Sequence, residues 1–256
     1  MGRAIILKSA AEIEVMREAN QIVASTLSRL RKLVQAGITT LDLDRDAEQF
    51  CRGCGAEPAF KGYRGFPGSL CVSVNDQVVH GIPSGKVKLR EGDIVSIDFG
   101  VRFKGFYGDA AITLPVGQVN EGRRRLMAVT EQALEKAIEQ VQVGKRINDI
   151  ASAVQHHVES NGFSVVRQFV GHGIGSQLHE PPEIPNYARR ESTTRLVPGM
   201  VLAIEPMVNE GTHEVMILKD GWTVVTRDRK ASAHFEHSVA VTEGGPLVLS
   251  RESGLI

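Results

Sequence analysis

The sequence predicts an α/β fold in which one unit occurs twice about a pseudo-twofold, with a single site at the seam. Three observations lead there. Shifting the chain by 107 positions superposes its halves without a gap over long stretches. Val34-Gln35-Ala36-Gly37 falls on Val141-Gln142-Val143-Gly144, Asp42-Leu43 on Asp149-Ile150, and the run from Gly92 to Asp98 on the run from Gly199 to Glu205. Each half repeats one order of elements, helices first and strands after. No Ser- or Pro-rich linker divides the halves, so residues 1–256 are expected to form one domain with repeats at about 9–120 and 121–245. Two copies are too few for a solenoid.

The elements follow in order. Ser9-Ala-Ala-Glu12 is a capping box that opens the first helix. Ile13, Met16, Ala19, Ile22, Val23 and Leu27 recur at helical spacing up to Val34, and Gly37 is expected to end the helix. A second helix spans about Leu41–Arg52. Leu70–Val74 and Ile94–Val101 are strand-like, and the latter returns through Lys104-Gly105 along Ala110–Leu114. The second half predicts helices near Glu121–Gln142 and Ile147–Asn161. Its strands are expected around Ser164–Phe169, Met200–Met207, Met216–Ile217, Trp222–Thr226 and Phe235–Val241.

Composition narrows the function classes. Thirty basic side chains balance thirty acidic ones, so no global field for DNA or another polyanion is expected. No apolar run approaches the roughly 20 residues that span a bilayer. Glu12, Glu14 and Glu18 break any signal-peptide core. Met1-Gly2 opens as a myristoylation site does, but Ile6 stands where Ser or Thr is wanted. A cytoplasmic monomer is the expectation. Cys51, Cys54 and Cys71 make no disulfide framework, and the lone Cys51-Arg-Gly-Cys54 reads as ordinary reduced thiols.

Five residues carry the chemistry. If Lys104-Gly105 are the centre of a hairpin turn, Asp98 faces Ala111 and Asp109 faces Gly100. The two carboxylates are then diagonal neighbours on one face, about 7–8 Å apart at the backbone. A bulge would flip that parity, and two isolated Asp would read as solvent-facing. Glu205 follows Met200–Ile204, a run too apolar for a surface strand. A buried carboxylate there must be paired, hydrogen-bonded, protonated or metal-bound. Glu236 sits in a similar apolar setting, and His172 lies in Gly171-His-Gly-Ile-Gly175, where glycines permit close backbone approach. Such ligands suit Mn, Fe, Co or Zn, and two such ions about 3.5–4 Å apart do hydrolytic work.

Val79-His80-Gly-Ile-Pro83, Ile97-Asp-Phe-Gly100, Phe106-Tyr-Gly-Asp109, Gly171-His-Gly-Ile-Gly175, Leu178-His-Glu-Pro181, Ile204-Glu-Pro-Met207 and His234-Phe-Glu-His-Ser238 resemble the signature blocks of type I methionine aminopeptidases. The resemblance covers essentially the whole chain. It implies the pita-bread fold, an internally duplicated domain whose central antiparallel sheet is covered by helices. It also implies removal of the initiator Met from nascent polypeptide N-termini when the second residue is small. By the same resemblance Asp98, Asp109, His172, Glu205 and Glu236 hold two divalent metal ions (Co, Mn, Fe or Zn), with Glu205 also moving a proton. His80 and His179 serve the scissile bond and the substrate carbonyl, and Tyr63, Phe66, Cys71 and Trp222 line the methionine pocket. Phe60 stands where many members have Cys, and Leu178 where Phe is common.

Two alternatives stay open: a proline-specific aminopeptidase or prolidase, whose members usually carry an additional amino-terminal domain, and a pita-bread binding module without catalysis. Lys219, Arg227, Arg229 and Lys230 form a local basic patch suited to transient ribosome contact, which Asp220 and Asp228 partly offset.

Overall fold

Each half of the molecule opens with two helices whose ends the sequence dictates. In the computed structural model, which describes residues 4–252 and so leaves the Met1-Gly2 start outside, α1 covers Ala10–Leu33 and α2 Thr40–Gly53. The capping box is formed: Ser9 Oγ accepts the Glu12 N–H, and the Glu12 carboxylate accepts the Ser9 N–H. The helix ends before Gly37, because Val34 turns extended while its N–H still reaches the Leu30 carbonyl. Gly37 instead makes the next turn at φ +94°, donating to the Leu89 carbonyl. In the second half α3 spans Glu121–Ile138 and α4 Ile147–Ser160. The third helix stops short of Gln142, because the Val141 N–H turns to the Ile138 carbonyl in a tighter turn.

The duplication is physical as well as textual. Helices α2 and α4 both have 14 residues, and they start 107 positions apart. Gly144 repeats the left-handed turn of Gly37, with φ +90°. The bridge Thr39↔Lys88 recurs as Arg146↔Arg195. The Asp42 carboxylate accepts the Thr39 N–H as Asp149 accepts that of Arg146.

The strands are β1 (Glu57–Pro58), β2 (Cys71–Val74), β3 (Gln77–Val79), β4 (Ile94–Phe103), β5 (Phe106–Pro115), β6 (Ser164–Val165), β7 (Gly171–Gly173) and β8 (Glu180–Ile184). They continue as β9 (Val201–Ile204), β10 (Met207–Asn209), β11 (Val215–Ile217), β12 (Val224–Thr226), β13 (Ser232–His234), β14 (Glu236–Thr242) and β15 (Gly245–Val248). Nine form the central sheet, in the order β1-β4-β5-β14-β9-β7-β8 with β2 on β4 and β15 on β14. All its pairings are antiparallel. Lys104 and Gly105 both have positive φ, as a two-residue I′ hairpin turn requires. The ladder runs unbroken from Phe103↔Phe106 to Ile94↔Pro115, so no bulge disturbs the parity of Asp98 and Asp109.

One face of this sheet is covered by helices. Val95, Ile97, Phe99 and Val101 meet Ala19, Ile22 and Val23 of α1. Across the pseudo-twofold, Leu202, Ile204, Val239 and Val241 meet α3 and α4. The opposite face is left for the cleft.

Several expected strands differ. Met200–Met207 divides into β9 and β10, because Pro206 has no N–H for the ladder. Ser164–Phe169 shortens to β6, and Trp222–Thr226 begins only at Val224. Strands β1, β3, β7, β8, β13 and β15 were not expected. They are short or rich in Gly and Pro, and offer no alternation to read.

Candidate metal centre

The register of the sheet delivers the five candidate ligands to one place. Cys71, Asp98, Ala111 and Glu236 form a single row across β2, β4, β5 and β14. Directly opposed residues point to the same face, so Asp98 and Glu236 flank the small Ala111. Asp109 lies two residues from Ala111 and shares that face. The next row, Ser238–Ala203–His172, brings in the imidazole, and Glu205 follows Ala203 by two. Alternation of period two thus unites residues that are up to 138 positions apart in the chain (98 to 236).

Ligand atoms of Asp109, His172 and Glu236 lie within 4.8 Å of one another. Asp98 and Asp109 stand close enough to perturb each other's ionisation. Glu205 Oε1 is 3.6 Å from His172 Nε2. The His172 Nδ1 contacts the Gly173 carbonyl at 2.9 Å, which fixes the proton there and leaves the Nε2 lone pair facing the carboxylates.

Burial decides the electrostatics. Asp98 is pushed up to about 7 by burial. Asp109, Glu205 and Glu236 are raised well above the carboxylate range, by burial first and then by the neighbouring carboxylates. Burial holds His172 down at about 4 and His234 at about 3. Asp98 Oδ1, Asp109 Oδ1 and Glu236 Oε1 are buried with no hydrogen-bond partner. Orphaned buried oxygens carry a large desolvation cost, and divalent cations are the partners that remove it. The donor set fits a hard or borderline metal.

These shifts set two opposing slopes for the metal-free protein. Buried histidines such as His80, His172 and His237 (each about 4 against an ordinary 6.5) refuse protons that the unfolded chain accepts, so stability falls as pH drops from 6.5 toward 4. The carboxylates act in the other sense. The folded state keeps protons that the unfolded chain has released, so stability falls as pH rises from about 4 through their raised values. Above 6.5 only the carboxylate slope remains. Melting curves of the metal-free protein should therefore show Tm declining from pH 6.5 to 8, and Glu236→Gln should flatten that decline. An unchanged slope in the variant would contradict the electrostatic account.

The cleft above the cluster is lined by every site residue the sequence nominated: Tyr63, Phe66, Cys71, His80, His179 and Trp222 beside the four carboxylates and the His172 imidazole. His179 Nδ1 lies 2.9 Å from the Tyr63 hydroxyl, and its ring centroid is 4.2 Å from that of His172. His80 is held edge-on by Phe169 and Trp222. Phe66 and Trp222 meet edge to face on the apolar side. Phe60 and Leu178 also line the cleft. The ring of Phe60 sits over Gly100, where a Cβ would lie 2.8 Å from its Cε1, so this strand glycine serves close approach.

Sequence reasoning missed the supports. Asn20, fully buried on α1, accepts the Asp109 N–H at 3.2 Å, and Ser238 Oγ donates to the Asp109 carbonyl at 2.8 Å. Asn186 donates to the Glu205 carbonyl at 3.1 Å. His234 Nε2 is 3.8 Å from Glu205 Oε2 and has no hydrogen-bond partner. The only signal for it was its place in the His234-Phe-Glu-His block. Cys51 and Cys54 stand outside the cleft as free thiols, and burial pushes Cys51 up to about 12.

A carboxylate-rich cluster fit to hold metal at the floor of a cleft, on a duplicated α/β sheet, is the architecture of a metallohydrolase. The profile of metallopeptidase family M24 matches residues 14–243, and the chain belongs to that family. Among its relatives are methionine aminopeptidases. The enzyme of that name from Clostridium perfringens is 53% identical over 246 residues, covering 96% of this chain and 98% of that one. The crystal structure of methionine aminopeptidase from Thermotoga maritima superposes with a TM-score of 0.95 at 45% identity, covering 97% of this chain and all of that one. A prolidase from Pyrococcus furiosus shares the fold at 24% identity and a TM-score of 0.78, and this chain covers 65% of it.

Proposed function

We propose that the chain is a metal-dependent aminopeptidase that removes the N-terminal methionine from nascent polypeptides whose second residue is small. The observation that carries this reading is the set of four carboxylates, two buried and two half-buried, and one Nε2-exposing histidine at the base of an apolar-walled cleft. Asp98, Asp109, His172, Glu205 and Glu236 would hold two divalent ions, drawn from Co, Mn, Fe or Zn. Such ions supply Lewis acidity and make hydroxide available near neutral pH. The unbranched, polarisable methionine side chain suits the pocket of Tyr63, Phe66, Cys71 and Trp222, closed by Phe60 and Leu178.

The chain's own residues then divide the work. Glu205, whose carboxyl burial holds above the usual carboxylate range, takes a proton from the attacking water and passes it to the leaving amine. His179, held by the Tyr63 hydroxyl at Nδ1, offers Nε2 to the substrate carbonyl as charge develops there. His80 lies across the cleft, where the scissile nitrogen would pass. All five ligands are present, which disfavours a binding module that has lost catalysis. A single catalytic domain over 1–256, with repeats at about 9–120 and 121–245, is part of the same reading.

The direct test is hydrolysis of Met-Gly-Met-Met against Xaa-Pro peptides with each of the four metals added. Release of Met, with the Xaa-Pro peptides left intact, is expected. Preferential Xaa-Pro cleavage would instead assign the chain to the prolidase-like branch.

The place of action is part of the proposal. No described helix is long and apolar enough to cross a membrane, and we take the enzyme to work as a cytoplasmic monomer. Lys219, Arg227, Arg229 and Lys230 are exposed; none lines the cleft, and β12 runs between Trp222 and the last three. Arg227 is 3.8 Å from Glu214 and Arg229 is 3.0 Å from Asp76, so two of the four charges are already countered. Asp220 and Asp228 are turned to backbone N–H groups. Binding to ribosomes should weaken steeply with salt and weaken further when the four cations become Ala, with peptide hydrolysis in free solution nearly untouched. Unchanged ribosome affinity in the quadruple variant would remove this contact.

A further inference from the structure

Outside the cleft, the described residues bury one ion pair between a basic and an acidic side chain. Lys8 Nζ lies 2.5 Å from Glu180 Oε2, with side-chain exposures of 3% and 1%. Every other Lys or Arg pair in the described residues has at least one partner one-fifth exposed or more. Removing two charges from water is costly, and a buried pair survives only where geometry and further hydrogen bonds compensate. Both are present here. Lys8 Nζ also donates to the Ile6 carbonyl at 2.8 Å, and the Lys8 N–H donates to the Gly199 carbonyl at 2.7 Å. Glu180 Oε1 accepts the Gln177 N–H at 3.0 Å. The backbone closes over the pair: a Cβ on Gly175 would lie 2.3 Å from Lys8 Cε and 2.7 Å from Glu180 Oε1.

The location matters more than the pair. Glu180 follows His179 directly, and the segment from Gly175 to Glu180 carries both Leu178 and His179 into the cleft. At its start the Gly175 carbonyl accepts the Tyr107 N–H, which anchors that end to β5. At its other end the anchor is Glu180, and the charge that holds Glu180 comes from Lys8, immediately before the N-cap of α1. Lys8 itself lines no part of the cleft.

We propose that Lys8 is a positioning residue for peptide cleavage: through its buried ion pair with Glu180 it fixes the 175–180 segment, and so the placement of His179 against the substrate carbonyl. The proposal rests on the aminopeptidase reading for the role of His179. With Lys8 uncharged, Glu180 becomes an unpaired buried carboxylate. That unpaired charge costs stability, and whether Glu180 is charged or neutralised the segment has lost the Lys8 anchor at this end, so residues 177–179 are free to shift. Misplacement of a carbonyl-binding group by an ångström is enough to cost catalysis heavily.

Lys8→Met removes the charge and keeps the stem; Lys8→Met with Glu180→Gln removes both charges. The metal-loaded full-length protein is assayed on Met-Gly-Met-Met, with metal content, Tm and amide hydrogen exchange measured alongside. In Lys8→Met we expect metal content equal to wild type, faster exchange confined to residues 175–180, and kcat/KM lower by about tenfold or more, carried mainly by kcat. In the double variant Tm should return toward wild type while kcat/KM stays low. A purely structural pair predicts that activity recovers with Tm, and that result overturns the proposal, as does unchanged exchange in the segment of Lys8→Met. Wild type that fails to cleave the peptide with any metal would instead sink the aminopeptidase reading, and the exchange data would still decide whether Lys8 holds the segment.

Discussion

Replacing Glu236 or Asp98 by Ala is expected to abolish turnover and metal uptake together while leaving the fold intact. Each contributes to a cluster in which Asp109, His172 and Glu236 converge within 4.8 Å, and Asp98 joins it through Asp109. Removing one ligand leaves the others unable to surround the ions. The scaffold does not depend on them, since the hydrophobic clusters under the helices lie on the opposite face of the sheet. A further consequence separates this account from simple destabilisation. In the metal-free state the four clustered acids oppose one another, so loss of one should leave the metal-free protein at pH 7.5 at least as stable as wild type. Calorimetry, elemental analysis and a peptide assay on the same samples check all three. Near-normal activity in either variant would contradict the assignment.

His80→Ala and His179→Ala should each depress kcat by roughly 10²–10⁴-fold with metal content unchanged, the usual contribution of a positioned acid–base or donor group. Neither imidazole belongs to the convergent ligand group. Burial pushes His80 down to about 4, so it is neutral at working pH and its ring is available as a donor or acceptor. His179 is oriented by Tyr63, so Tyr63→Phe should reproduce part of the His179→Ala loss. Loss of metal on changing His80 would make it a ligand and remove it from this role.

Much of the site was legible because a hairpin is arithmetic. The turn at Lys104-Gly105 fixed Asp98 opposite Ala111 and Asp109 opposite Gly100, and both pairs occur in the ladder. The helix-turn glycines and the 107-residue shift were legible for a similar reason, since backbone requirements recur with the fold. What stayed hidden depends on long-range packing. Asn20 lies on a helix and reads as an ordinary polar residue until Asp109 is folded against it. Lys8 and Glu180 are 172 positions apart, and nothing local marks either as buried. A short strand such as β7 holds its place through β9 and β8 on its two sides, and β8 through its pairing with β7, where Gly and Pro would otherwise argue for loop. The ion pairs of Arg227 and Arg229 with Glu214 and Asp76 were equally out of reach, and they reduce the basic patch by more than its sequence suggested.

The central claim is that this cluster cuts methionine from polypeptide N-termini in a metal-dependent way. Two otherwise identical purified proteins, one beginning Met-Gly and the other Met-Leu, should be incubated with the metal-loaded enzyme and weighed intact by mass spectrometry. The first should lose the mass of one methionine, the second should keep it, and a chelator should stop the loss until divalent metal is restored. Retention of methionine on the Met-Gly protein with Co, Mn, Fe and Zn alike, or removal that persists in chelator, would contradict it.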